Sequence, residues 1–319
     1  MNLKYIAKRI LIAIPVFFGI LLLVYLVSSL APGSPLDALL ADPKINALEL
    51  ENRRRRLGLD QSVILQFFNW LGEFLKGNLG YSYSTHRLVS VMIGERLGVT
   101  AMLAGTSILF SLLISLPIGI FAASKPNSFG DYSSGILSFI MVATPNFFMG
   151  LIFIYIFSVV LKILPSGGMY DISGSKTIAS LLRHMILPCL VLSFQHIGSW
   201  VRYIRSSMLE VMQQDYIRTA KAKGLRKWGV ILVHGVKNAL IPVVAVIGMS
   251  IPSLAGGAVV TEQVFGWPGI GTLMVQSIRA RDYPVIMGIT AVVAVVVLIA
   301  NLITDLLYGV LDPRIRYEG

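Results

Sequence analysis

The chain has 319 residues, of which 55% are hydrophobic and only 13% are charged. A soluble domain carries about 25% charged residues, so this composition excludes an ordinary soluble protein and favours one that resides in lipid. The net charge is +11 at pH 7, and the charged residues lie between apolar stretches, where anionic headgroups and the positive-inside rule account for them. Nucleic acid is therefore not an expected partner. The single cysteine, Cys189, excludes an internal disulfide.

Six segments have the length and apolarity of membrane spans, which need about 20 residues each. The first follows three cations, as a secretory signal would, but its apolar run from Ile10 to Ala31 exceeds the roughly 7–15 residues of a signal core. We therefore expect a retained helix and an all-α membrane protein with six transmembrane helices. The predicted spans are roughly Arg9–Leu30, Thr100–Ala123, Gly135–Leu161, Ile186–Met208, Ala239–Val260 and Pro284–Tyr308.

The distribution of Lys and Arg predicts the orientation. With the N-terminus in the cytoplasm, the cytoplasmic segments hold fourteen of these residues and the two short external loops hold five. The run Arg53–Arg56 lies in the long segment after the first span, and a segment of that length is translocated largely regardless of its charge. Both termini are therefore expected to be cytoplasmic.

The segment between the first two spans is expected to be external and partly helical. An amphipathic helix is predicted over about 61–76, with Asp60 as its N-cap and Gly77 as its end. This helix either lies at the outer membrane surface or packs on the spans, or it forms the core of a small external cap. Its apolar face comprises Val63, Phe67, Trp70, Leu71, Phe74 and Leu75. The predicted division of the chain is an N-terminal helix 1–31, the external segment 32–99 and a core 100–319.

Several functional classes lack their expected features. The spans show no buried ionisable relay of a proton- or sodium-driven pump, and Asp305 lies near the inner end of the last span, where snorkelling or pairing accounts for it. No phosphate-binding loop occurs, so any nucleotide that drives this protein binds on another chain. The four histidines are scattered over loops and spans, which disfavours a metal site or an intramembrane enzyme.

The densest block of cations falls in a cytoplasmic loop over about 209–238. Its sequence predicts a helix ended by Gly224, followed by a second helix from about Lys227 to Asn238. A solvated loop whose cations enforce topology would explain the charge, but not the helical pattern or the small residues. A short helix with little side-chain bulk suits docking into a groove of another protein.

This loop resembles that of ATP-binding-cassette import permeases. The stretch SMLEVMQQDYIRTAKAKGLRKWGVILVHGVKNALIPVV carries Arg218-Thr219-Ala220 and Gly224 where the general family has Glu-Ala-Ala and Gly. The missing Glu and the longer spacing from Gly224 to Pro242 depart from the general pattern, and Arg-Thr-Ala is typical of the peptide and nickel branch. Further stretches similar to that branch are KGNLGYSYS (Lys76–Ser84), GGAVVTEQVFGWPGIGTLMVQSIRARDYPV (Gly256–Val285) and VLDPRIRY (Val310–Tyr317).

The resemblance implies a type I ABC importer permease fold and a set of partners. Two permease subunits, this chain and a second homologous one, would form the pathway in a bacterial or archaeal inner membrane. Two cytoplasmic ABC ATPases would hold ATP and Mg²⁺, and this chain would carry no cofactor and no enzyme activity. An external binding protein would dock on the 61–76 helix and the loop Glu262–Asp282. The residues implied to contact the ATPase are Arg218, Thr219, Ala220, Lys221, Ala222, Lys223 and Gly224, with Ala220 and Gly224 expected to be small.

The expected substrate is a di- or oligopeptide, with nickel or glutathione as the alternative. A secondary transporter would be expected to carry membrane-buried charge and inverted repeats, and a channel would conduct without nucleotide. Polar residues near proline breakers in the spans are candidates for the transport pathway, or they form hydrogen bonds between helices. These candidates are Thr144, Asn146, Ser250 and Ser253.

Overall fold

A computed structural model describes residues 3–30, 36, 47–171, 174 and 176–311. These residues are mostly helical, and two π-helical segments, Ile154–Val160 and Val230–Val236, interrupt the α-helices. A short turn of helix, Lys227–Gly229, precedes the second of them. The α-helices are α1 Leu3–Leu30, α2 Ala47–Arg56, α3 Val63–Leu75, α4 Val89–Ser124, α5 Phe129–Ala143, α6 Asn146–Phe153, α7 Ile178–Met212, α8 Asp215–Ala222, α9 Lys237–Phe265, α10 Ile270–Arg279 and α11 Tyr283–Leu311.

Four helices in the described part of the chain, α1, α4, α7 and α11, are long and apolar enough to cross a membrane. The predicted span Gly135–Leu161 is instead a bent pair, in which α5 meets α6 and its π-helical extension at 103°; counted as one span, the pair makes five. Pro145 explains the bend, because it lacks a backbone N–H and disfavours helical geometry at Thr144, whose ψ is 125°. The count is consistent with the six predicted spans, since Ala239–Val260 falls inside the 29-residue helix α9.

The chain divides into two compact units. One consists of Leu3–Val99 and Gly269–Leu298, and the other of Thr100–Pro268 with the described residues from Ile299 onward. The predicted division of the chain into 1–31, 32–99 and a core 100–319 stays a prediction. The residues Gly269–Leu298, however, group with the N-terminal part of the chain rather than with the rest of that core.

In the first unit, α3 packs on the helices that flank it. Phe67 is 3% exposed and belongs to one apolar cluster with Leu21 and Tyr25 of α1 and Met287 of α11. The N-cap of α3 is Ser62, whose hydroxyl accepts from the N–H of residue 65, and not the predicted Asp60. The helix ends before Gly77, which has a φ of +83°. Of the predicted apolar face, Leu75 is two-thirds exposed and lies outside the cluster.

In the second unit, α7 packs against the segments that follow it in the chain. Trp200 and Ile204 pack against Ile231 of the π-helical segment and Val243 of α9. Near the start of α5, Arg205 of α7 donates to both carboxylate oxygens of Asp131, which is 4% exposed. Such a two-point contact keeps the buried carboxylate paired.

The close approach of α5 and α7 depends on Gly198. A Cβ at this position would lie 2.7 Å from the backbone oxygen of Ser138 and 2.8 Å from Cβ of Met141, and neither atom can rotate away.

We expect Gly198→Ala to destabilise the protein by about 1–3 kcal/mol through overpacking, measured as a lower midpoint of thermal unfolding in detergent. Gly105 of α4 has no atom within 4 Å of such a Cβ. The control Gly105→Ala should therefore leave the midpoint unchanged or raise it, and an equal loss in both variants would contradict the packing argument.

Candidate functional site

The loop that follows α7 holds a short helix, α8, which packs back on its own chain. Ile217 is fully buried and Ala220 is 7% exposed, and both contact Val230 at the start of the second π-helical segment. Met212 at the end of α7 packs against the same cluster. The second predicted helix of this loop is the stretch from Lys227 through that segment, and it continues into α9 without a break. Apolar contacts therefore join α8 to the chain that leads directly into α9.

The residues predicted to contact an ATPase fall on two sides of α8. Ala220 faces inward and packs on its own chain, in the cluster with Ile217 and Val230. The others are exposed, and the contact of Arg218 with Asp215, at 3.5 Å, joins two exposed side chains. Beside them, Tyr216, Leu225 and Trp228 are between 44% and 54% exposed. Large apolar side chains next to cations form a surface that suits a protein partner. The exposed predicted residues are Arg218, Thr219, Lys221, Ala222, Lys223 and Gly224.

Gly224 is required by its backbone conformation. Its φ is +76°, a left-handed value that other residues rarely adopt, and beyond its two chain neighbours no atom of the described residues lies within 4 Å of a Cβ built there. Its N–H donates to the carbonyl oxygen of Lys221, which ends α8. The space around Gly224 is thus open on the side of this chain.

The four candidate pathway residues lie on two helical segments. Thr144 and Asn146 flank Pro145 at the bend between α5 and α6. The hydroxyl of Thr144 donates to the carbonyl oxygen of residue 140, whereas Oδ1 of Asn146 is buried and has no hydrogen-bond partner among the described residues. Ser250 of α9 accepts a hydrogen bond from the indole of Trp200 at 3.3 Å, which links α9 to α7. Ser253 also lies on α9, and its side chain is outside the described part.

Two of the family-like stretches meet at one buried carboxylate. Asp282, which is 1% exposed, accepts from the hydroxyls of Ser82 and Ser84 at 2.5 Å and 2.8 Å. It also accepts from the N–H groups of Tyr83 and Ser84, at 3.0 Å and 3.3 Å. Burial, together with the nearby Asp282 carboxylate, raises the pKa of the Tyr83 phenol to about 12. Asp282 therefore holds the turn 82–84 in place. The turn lies in the stretch KGNLGYSYS, and Asp282 lies in RARDYPV near the end of the stretch Gly256–Val285.

Sequence reasoning missed two of these contacts. It placed Asp282 at the edge of a docking loop without assigning it a partner. Ser82 and Ser84, two hydroxyl donors in a turn that contains no acidic residue, were the signal that could have suggested one. It did not single out Asp131, which lies just before a predicted span, or pair it with Arg205. The stretch Val310–Tyr317 lies largely outside the described residues, so its role stays a prediction.

Comparison with known proteins assigns this architecture to a family. Residues 115–317 match the family described as the inner membrane component of binding-protein-dependent transport systems. The chain belongs to this family.

Relatives of this permease align with it over nearly the full length. It is 43% identical over 314 residues to the Bacillus subtilis oligopeptide transport system permease protein AppB, covering 98% of this chain and 99% of the relative. It is 37% identical to the di/tripeptide transport system permease protein DppB of Pseudomonas aeruginosa, covering 99% of each. It is also 37% identical to the Escherichia coli glutathione transport system permease protein GsiC, covering 99% of this chain and all of the relative.

The family match begins inside α4 and includes the bend at Pro145, α8 and Asp282. The segment 32–99, including α3 and the turn 82–84, precedes the match, but the relatives align across it. This permease therefore shares with its relatives a region that the general family description does not cover.

Proposed function

We propose that this chain is the pathway subunit of an ATP-driven importer that takes up di- or oligopeptides delivered by an external binding protein. The observation that carries the proposal is the near full-length similarity to permeases named for oligopeptide and di/tripeptide transport. The chain itself performs no reaction in this account. A second, homologous permease subunit completes the pathway, and two ABC ATPase subunits bind ATP and Mg²⁺.

The proposed orientation places both termini and α8 in the cytoplasm and the segment 32–99 outside. The excess of Lys and Arg in the segments assigned to the cytoplasm supports it. In this orientation the cationic and aromatic surface of α8 faces the ATPase. The turn fixed by Asp282 faces the binding protein, together with the loop Glu262–Asp282.

The packing of α8 supports a mechanism of coupling. Closure of the two ATPases moves the cleft in which α8 sits, and Ile217 and Ala220 carry that displacement to Val230. Because the helical chain from this residue continues into α9, the displacement reaches a span. Ser250 then transmits it from α9 to Trp200 of α7. The bend at Pro145, with the unpartnered amide oxygen of Asn146, offers a polar contact for a peptide as the spans turn from inward-open to outward-open.

Glutathione is the second candidate substrate, because one relative that aligns over the whole chain is named for its transport. Nickel remains the other alternative within the same kind of importer.

The proposed assembly is tested by purifying this chain from its native membrane in a mild detergent and identifying the proteins that accompany it by mass spectrometry. We expect a second permease, ATPase subunits and a binding protein, whose bound ligand identifies the substrate. Recovery of the chain alone at every detergent strength would contradict the importer and favour a channel or a secondary carrier.

A further inference from the structure

A cavity of about 750 Å³ lies beside α3 in the unit formed by Leu3–Val99 and Gly269–Leu298. This volume is within the usual range of small-molecule sites, about 300–1,000 Å³. The wall is mainly apolar and includes the aromatic side chains of Tyr25, Trp70, Tyr81 and Tyr283. In the proposed orientation, the cavity opens on the side to which the binding protein delivers substrate.

One face of α3 supplies several of the polar groups of this cavity. Gln66, Asn69, Trp70 and Glu73 line it, and their spacing of three and four residues places them on one side of a helix. The adjacent face of α3, which carries Phe67, packs against α1 and α11, and Trp70 also contacts that cluster. The polar residues of α3 therefore face the cavity.

The charge of the lining is unusual for this chain. Among the described lining residues, only Glu73 carries a carboxylate and none is Lys or Arg, although the whole chain has an excess of cations. Hydrogen bonds from Lys76 and Asn78 lower the pKa of Glu73, so this carboxylate is anionic at neutral pH. Lys76 is 71% exposed, and a carboxylate has about four acceptor positions. A second cation can thus join or displace Lys76.

A hydrogen-bond donor in the wall also lacks a partner. Nε1 of Trp70 is buried and makes no hydrogen bond with any described residue. An indole N–H only donates, and burying it unpaired is unfavourable, so a turn of the ring that brings this buried N–H to a ligand carbonyl is favoured. Trp70 and Glu73 are neighbours on the same face of α3.

We propose that this cavity is a binding site for the N-terminal end of a free peptide. The α-ammonium group pairs with Glu73, the first carbonyl accepts from Nε1 of Trp70 once the ring has turned to expose it, and an apolar side chain packs on the tyrosines. The choice of a peptide rests on the proposed function. The residues that line the site come from α1, the segment 32–99 and the stretch from Ala280 to Met287, and none of them belongs to α8 or to the candidate pathway residues. It holds a peptide released by the binding protein before that peptide enters the spans.

The test measures equilibrium binding of the tripeptide Ala-Phe-Ala and its N-acetylated form to the intact transporter in lipid nanodiscs, without binding protein or ATP. Glu95→Gln is the matched control, because Glu95 is 49% exposed and paired with a cation, as Glu73 is, but lies outside the cavity. We expect the free peptide to bind, and N-acetylation to weaken binding about threefold to tenfold, the range for a partly exposed charged hydrogen bond. Glu73→Gln should weaken binding of the free peptide by the same factor and leave the acetylated peptide unaffected. Trp70→Phe should weaken both peptides severalfold, and Glu95→Gln neither.

Equal losses for both peptides in Glu73→Gln would overturn the ammonium contact, and absence of binding to the unmodified transporter would overturn the site. If the free peptide does not bind but Trp70→Ala weakens capture of the binding protein, the cavity receives that protein instead and the proposal is wrong. ATP-driven uptake with the binding protein present separates these outcomes from failure of the proposed function. Uptake that persists without peptide binding to the isolated transporter refutes only the site, whereas uptake that never occurs refutes the importer.

Discussion

Gly224→Val is expected to lower substrate-stimulated ATP hydrolysis about tenfold or more without preventing insertion of the chain into the membrane. A φ of +76° costs a residue with a Cβ roughly 1–2 kcal/mol, and a β-branched side chain is among the least tolerant of it. The strain falls where the chain turns from α8 toward the second π-helical segment. In the strained loop, α8 no longer has the position that its contacts with Val230 define. Stimulated and basal ATPase rates of the purified complex give the measurement.

The matched control is Gly224→Asn, because Asn tolerates the left-handed region far better than Val and has a similar volume. We expect Gly224→Asn to retain most of the stimulated activity. If both variants lose it equally, bulk at this position is what matters, because the side chain meets the ATPase in the open space around Gly224. Normal coupling in Gly224→Val would remove this residue from the coupling account.

Asp282→Ala is expected to release the turn 82–84 from its anchor. The carboxylate accepts four hydrogen bonds, and removing it takes this acceptor from the buried hydroxyl of Ser82 and from the partly buried donors of Tyr83 and Ser84. Hydrogen bonds to a charged group contribute about 1.5–3 kcal/mol each, although such contributions are not additive. We expect the free energy of local opening to fall by about 3 kcal/mol, which is more than a hundredfold in the opening equilibrium. Hydrogen exchange of the amides of Tyr83 and Ser84 in the purified complex measures this change.

Asp60→Asn provides a control, since Asp60 is an exposed acid of the same segment. It should leave exchange in the turn unaltered. Unchanged exchange in Asp282→Ala would show that other contacts hold the turn. Because the turn lies on the proposed outer face, the variant should also weaken stimulation by the binding protein while basal ATP hydrolysis persists.

The fold was largely predictable because the long apolar runs and the loop charges carry strong, local signals. The α1 and α11 spans and the stop at Gly224 follow from such signals. The 103° bend at Pro145 did not, because a proline inside an apolar run predicts a kink but not whether neighbouring contacts will support a sharp turn. The N-cap of α3 was assigned to Asp60 rather than Ser62, two residues that both favour this position.

The contacts of the candidate site were less accessible to sequence reasoning. Ser82 and Asp282 are 200 positions apart, and no local pattern specifies which buried donor meets which carboxylate. Ala220 was predicted to be small for the sake of a partner protein. Its packing against Val230 depends on the direction in which α8 folds back, which is a tertiary property. The cavity beside α3 arises for the same reason, since Trp70 counted as part of an apolar face until its position beside an open space was known.

Uptake of a labelled peptide into proteoliposomes that contain the whole transporter, with binding protein outside and ATP inside, tests the central claim most directly. The account predicts that a di- or oligopeptide accumulates and that its accumulation requires both ATP and the binding protein. Excess Ni²⁺ or glutathione should not reduce this accumulation. Accumulation of glutathione or Ni²⁺ in place of the peptide, or passage of the peptide without ATP, would contradict it.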